Sequence, residues 1–195
     1  MGISFNQIPA GIRVPFLYAE FDSSRAQQGT ALKTYAGLML GQKLSGGSAV
    51  ANAPVLVTSE AQAITLFGRG SMLHRMVVAW RKANKFTELT VIPLADNGAG
   101  VAATGSVSIT GTVTKAGTIN FYVGGQLVQV GAAVGDTGAT IVAALAAAMP
   151  SVSDLVVTGA VNGVTSTLLD VTARHKGLLG NGIDMRMNYQ LGEVS

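Results

Sequence analysis

Ala173-Arg174-His175-Lys176-Gly177-Leu178-Leu179-Gly180-Asn181-Gly182-Ile183-Asp184-Met185-Arg186-Met187-Asn188-Tyr189 is the stretch on which the fold turns. A strand runs out in the basic cluster Arg174-His175-Lys176. A turn follows, marked by Gly177, Gly180 and the Asn181-Gly182 pair. A second strand then starts with a period of two: Ile183, Met185 and Met187 fall on one face, Asp184, Arg186 and Asn188 on the other. Only six residues remain after Tyr189. A strand needs neighbours, so this pattern predicts a fragment of a longer protein, or a subunit completed by its neighbours.

Upstream, the texture changes at Asp96-Asn97-Gly98-Ala99-Gly100, a turn-rich linker. Before it the chain reads as an α/β unit. Thr34–Leu40 is an apolar run closed by Gly41, and Val55–Val57 is a brief strand. Ser59, with Gln62 three residues on, forms a capping box that opens a helix carrying Ala61, Ile64 and Phe67. Gly68-Arg69-Gly70 stops that helix, and Ser71 caps a second one whose apolar face is Met72, Met76, Val77, Ala79 and Trp80. Leu89–Leu94 is the next strand, and strand, helix pair, strand reads as a βαβ crossover.

After the linker, Thr104–Thr114 alternates Val and Ile with Ser and Thr. Turns at Lys115-Ala116-Gly117 and Gly124-Gly125 suggest a three-strand meander. Asp136 is placed to cap an Ala-rich helix, Thr137–Met149, stopped by Pro150. A hairpin about Asn162-Gly163 completes the order β-β-β-α-β-β. The predicted fold is therefore an incomplete α/β body with an amino-terminal extended arm, carrying an inserted α+β module. The divisions are 1–29 for the arm, 30–100 plus 174–195 for the body, and 101–173 for the module. The arm lacks a helical period, and Pro9 and Pro15 favour an extended path. Its apolar residues Phe5, Ile8, Ile12, Val14, Phe16 and Tyr18 are the candidate subunit-interface residues.

Composition narrows the function. Apolar residues are 48 % and charged residues 12 %, half the usual share, which leaves neutral surface suited to packing against copies of itself. A formal charge of +3 without a long basic block gives no footprint for nucleic acid. The absence of cysteine excludes disulfides and thiolate metal sites. The amino terminus lacks the basic and apolar regions of a signal peptide, and Asn6 breaks a myristoylation pattern. The Ala139–Met149 run is too short to span a bilayer.

Catalytic constellations are missing. His74 and His175 are far apart in sequence, and each has cationic neighbours that do not suit a metal ligand. No zincin, CxxC, nucleophile-elbow or Walker motif occurs. Gly37–Lys43 loosely resembles a phosphate loop, but the spacing is wrong and Leu44 stands where Ser or Thr is required. Gly68-Arg69-Gly70-Ser71 at a helix start is an anion-binding pattern, but the same residues simply break and recap a helix. No catalytic residue, cofactor or metal ligand is assigned, and the chain is expected not to be an enzyme.

Four separated motifs resemble one family. Ile3-Ser4-Phe5-Asn6-Gln7-Ile8-Pro9 through Arg13-Val14-Pro15, Leu66-Phe67-Gly68-Arg69-Gly70-Ser71-Met72-Leu73, Ile92-Pro93-Leu94-Ala95-Asp96 through Gly105, and Gly177-Leu178-Leu179-Gly180-Asn181 resemble, in order, the amino-terminal part of the contractile tail sheath protein of Mu-like bacteriophages. The resemblance implies a structural subunit that stacks in rings around a tail tube and contracts to drive it through the host envelope. It implies arms that link subunits by strand addition. It implies self-association, contact with the tail tube protein, baseplate and tail terminator, no nucleic acid and no membrane insertion. The implied location is the virion tail, after synthesis in the host bacterial cytoplasm. Two other readings are a virion-surface module binding host glycan or envelope, and a nucleotide-dependent enzyme lacking a visible catalytic set.

Overall fold

Alternation along one strand pair explains why the first part of the chain folds as it does. β1 (Ala36–Gln42) turns Met39 and Gly41 inward and Leu38 and Leu40 outward. β3 (Glu88–Leu94) turns Leu89, Val91 and Pro93 inward. The two pair in parallel, and β2 (Val55–Leu56) adds to the other side of β3 antiparallel. α1 (Glu60–Phe67) and α2 (Met72–Ala83) cover the inward face, where Phe67, Leu73 and Val77 are fully buried with Leu89 and Val91. Each such side chain contributes about 1.5–3 kcal/mol by leaving water.

This is a computed structural model of the chain, and it describes residues 34–188 with the isolated positions 11, 13, 15, 17 and 19. The chain falls into two units, Met1–Thr34 and Tyr35–Ser195, and all the helices and strands of the described residues belong to the second. The arm candidates Phe5, Ile8, Ile12, Val14, Phe16 and Tyr18 lie outside the described residues.

The crossover differs from the sequence reading. β2 is antiparallel to β3, and the parallel partner is β1. The reason is the helix pair: each helix reverses the chain, so two in succession return it antiparallel to the strand it left.

The second part has its own core. β4 (Ala102–Ser108), β8 (Leu168–Lys176) and β7 (Val157–Val161) form one antiparallel sheet in the order β4-β8-β7. β6 (Gln126–Ala132), β5 (Gly117–Val123) and β9 (Met185–Met187) form another, in the order β6-β5-β9. α3 (Gly138–Ala148) packs Ile141, Val142 and Leu145 against Phe121, Val123 and Val128 of one sheet and Leu169 and Val171 of the other.

The predicted meander is corrected by these pairings. β4 ends at Ser108 and pairs with β8, while only β5 and β6 form the tight hairpin, closed by Gly124-Gly125. The intervening segment is too long for a hairpin turn. It crosses from one sheet to the other, bridging Thr112 to Thr137 and donating from Val113 N to Asp136 O at 2.9 Å. The cap of α3 also moves by one residue. Thr137 accepts from Thr140 N, whereas the Asp136 carboxylate accepts from Ala133 N at 2.7 Å and ties down the preceding turn.

The return of residues 174–195 to the α/β body is corrected as well, for the described part. β8 continues in its sheet through Lys176, and β9 pairs with β5, Met185 opposite Val123 and Met187 opposite Phe121. Ile183, Met185 and Met187 pack on the second core while Asp184 and Arg186 face out, so burial of the alternating methionines fixes where the strand goes.

Candidate functional site

The two cores meet at a joint built around the break between the helices. Gly68-Arg69-Gly70 ends α1, and Ser71 begins α2 by accepting from His74 N at 3.0 Å. Gly70 has φ 76°, and a Cβ there would lie 2.9 Å from the carbonyl oxygen of Leu155. Only glycine allows this helix end to touch the second core so closely.

His175, at the far end of β8, completes the joint. Its Nε2 accepts from Met72 N at 2.9 Å, and its Nδ1 lies 3.1 Å from Asp96 Oδ1. The Met72 N–H fixes Nε2 as an acceptor, so Nδ1 carries the proton and donates to Asp96. The other oxygen of Asp96 accepts from Lys176 N at 3.0 Å, and Lys176 Nζ donates to Gly98 O at 3.1 Å. The linker, the start of α2 and the end of β8 are thereby held by one aspartate–histidine pair. Gln42 Nε2 donates to Lys176 O at 3.2 Å, and Arg69 pairs with Asp154 at 3.3 Å, adding two further ties.

These contacts decide between the two readings of Gly68-Arg69-Gly70-Ser71. Two of the N–H groups at the start of the helix are already occupied, Met72 by His175 and His74 by Ser71. The loop breaks and recaps a helix, and it docks on the second core.

His74 is completely buried. Its Nδ1 accepts from Gly70 N at 3.3 Å, which leaves the ring proton on Nε2. Nε2 makes no hydrogen bond: Glu60 Oε1 lies 3.7 Å away, and Asp154 Oδ1 lies 3.7 Å from Nδ1. Glu60, His74 and Asp154 are close enough to resemble a metal set. In this tautomer, however, the Nδ1 lone pair is engaged by the Gly70 N–H and Nε2 carries the proton, so the ring offers an ion no free lone pair, and Arg69 already faces Asp154. Sequence reasoning placed His74 on a helix in a packing or surface role, and packing is where it lies. It missed the aspartate partner of His175, which is 79 residues away in the chain and carried no local signal.

Beside the joint, Met72, Met76, Val156, Leu179 and Ile183 line an apolar cleft of about 280 Å³. A second apolar surface lies on the outward face of the first sheet. Leu38 is 64 % exposed and Leu40 52 %, with Leu56 and Leu94 also exposed. Among the described residues, no element covers it. No helix among them is long and apolar enough to cross a membrane.

Buried polar pairs hold the two cores together, and among the described residues one face of the first sheet stays apolar and open. Comparison with known proteins supplies a relative. The chain is similar to the Mu-like prophage FluMu tail sheath protein of Haemophilus influenzae, 44 % identical over 194 residues, which is 100 % of this chain. It spans 39 % of that protein's length. No profile of a known protein family matches the chain. The resemblance to Mu-like tail sheath proteins drawn from the four motifs thus extends over the whole sequence.

Proposed function

We propose that this chain is part of a contractile tail sheath subunit of a Mu-like phage or prophage, a structural protein that assembles with copies of itself around a tail tube and shortens to drive the tube through the host envelope. The observation that carries this is the 44 % identity along the entire chain to a protein named as a tail sheath. The joint supports it, because a subunit that moves as one piece needs its two cores held in fixed relation. The open apolar face supports it too, since exposed patches of this kind mark protein–protein surfaces.

The finer reading follows from the same similarity. The arm, through Phe5, Ile8, Ile12, Val14, Phe16 and Tyr18, links neighbouring subunits. The tail tube protein, baseplate and tail terminator are the other partners. The protein works in the virion tail after synthesis in the bacterial cytoplasm, and it performs no catalysis. Replacing His74 or His175 by alanine therefore changes stability and removes no hydrolytic activity.

The test is electron microscopy of the full-length protein. Striated tubes are expected, and deletion of residues 1–22 should abolish or shorten them. Discrete monomers at high concentration, with no tubes when the tail tube protein is supplied, would overturn the reading.

A further inference from the structure

Three Asn-Gly pairs occur in the chain, at Asn97-Gly98, Asn162-Gly163 and Asn181-Gly182. Such a pair is prone to lose its side-chain amide, because glycine has no side chain to keep its own nitrogen from the asparagine Cγ. By sequence the three are equal. By surroundings they are not.

Asn162 is held at both ends of its amide. Its Oδ1 accepts from Val164 N and Thr165 N, each at 2.9 Å, and its Nδ2 donates to Asp170 Oδ2 at 2.8 Å. Those bonds must break before the side chain can turn. Asn181 is exposed, but it sits inside the 3₁₀ turn Leu178–Gly182. A helical backbone points the next amide nitrogen away from the preceding side chain. That turn is also wedged in place: a Cβ on Gly180 would lie 2.7 Å from Ala103 Cβ and 2.8 Å from Ala173 Cβ.

Asn97 has neither protection. Asn97 and Gly98 are exposed and lie outside any helix or strand. Among the described residues, Gly98 N and Asn97 Nδ2 make no hydrogen bond, so the attacking nitrogen and the leaving group are both free. Ala99 N donates to Asn97 Oδ1 at 3.0 Å. That bond polarises the amide carbonyl and steadies the oxyanion that attack creates.

We propose that Asn97 is a site of spontaneous deamidation, and that its product loosens the linker side of the joint. Gly98 N attacks Asn97 Cγ. The N–Cγ bond forms, the Cγ–Nδ2 bond breaks, and ammonia leaves with the Gly98 amide proton. Water then opens the cyclic imide. Opening at Cγ gives aspartate; opening at the main-chain carbon gives isoaspartate, whose side-chain CH₂ has become part of the backbone. The reacting bond lies between two anchors. Asp96 accepts from Lys176 N and faces His175, while Gly98 O accepts from Lys176 Nζ. A longer backbone between them cannot keep both anchors in place, and the new carboxylate stands next to that of Asp96. Neither step rests on the sheath reading.

The test ages the 195-residue chain in warm, mildly alkaline buffer, folded and, in parallel, unfolded in guanidinium chloride. Trypsin separates the three pairs, into Phe86–Lys115, Ala116–Arg174 and Gly177–Arg186. Mass spectrometry follows the exchange of amide for acid, and isoaspartyl methyltransferase labels the isoaspartate. In the folded chain Asn97 should react within about threefold of its unfolded rate, with Asn162 and Asn181 slowed by about tenfold or more. Asn97 slowed as much as the other two, or either of them reacting first, overturns the proposal. Hydrogen exchange at the Met72 amide, which His175 holds, reads the joint. It should quicken with age in step with isoaspartate at position 97, and stay constant in Asn97→Gln, whose longer amide closes a ring far more slowly. Quickening in both chains, or in neither, overturns the second half.

Discussion

Residues 35–94 and residues 102–187 solve the same problem differently. The later region wraps two sheets and a helix around one core, so Phe121, Ile141, Leu145 and Leu169 are enclosed from several sides. The earlier region has one sheet and two helices, and it encloses only what lies between them. Among the described residues, one region encloses its core from several sides and the other covers one face of its sheet. Independence of folding should track that difference.

The largest expected effect comes from separating them. Residues 101–188 expressed alone should unfold cooperatively in urea, whereas residues 34–96 alone should give a broad, non-cooperative change. Cutting the later piece at 173 instead removes β9 and exposes the edge of β5, so it should aggregate more readily. If the earlier piece proves the more cooperative, the comparison fails.

Within the intact chain, Phe121→Ala should cost about 3–5 kcal/mol by chemical denaturation. Leu40→Lys, on the open face, should cost about 0.5 kcal/mol or less and should reduce self-association measured by light scattering.

The joint is the next test. His175→Ala leaves the Asp96 carboxylate and the Met72 N–H without their partner, at a cost of about 1–3 kcal/mol. Hydrogen exchange at the Met72 amide should accelerate more than at Leu169 in the core. Equal acceleration at both sites would mean that the pair stabilises the whole fold rather than the contact between cores.

The helix break gives effects of about 1–2 kcal/mol. Gly70→Ala forces a side chain into a left-handed backbone beside Leu155 O, at about 1–2 kcal/mol. Ser71→Ala removes the bond to His74 N, at about 1 kcal/mol in thermal unfolding.

What could be read from the sequence was what neighbouring residues decide. The caps at Ser59 and Ser71 announced themselves within three residues, as did the Gly124-Gly125 turn and the alternation of Ile183, Met185 and Met187. Pairing was harder. The Ser/Thr/Val alternation shows that residues 102–108 are a strand, but nothing in it selects β8 over β5. Nor does the Met-x-Met pattern name β5 as its partner. Those choices are settled by core packing that brings together residues far apart in the chain. The same holds for the joint: Asp96 read as a turn residue and His175 as part of a basic cluster, and only the fold places one against the other.

The position of β8 has a mechanical consequence. This nine-residue strand lies between β4 and β7, and its final residues grip the linker and the start of α2. Ladder hydrogen bonds run across a strand, so a pull along its axis loads both ladders in shear, all bonds together, instead of peeling them one at a time. A load passed from the first core through the His175–Asp96 contact therefore meets both ladders of β8 in shear, which resist it together.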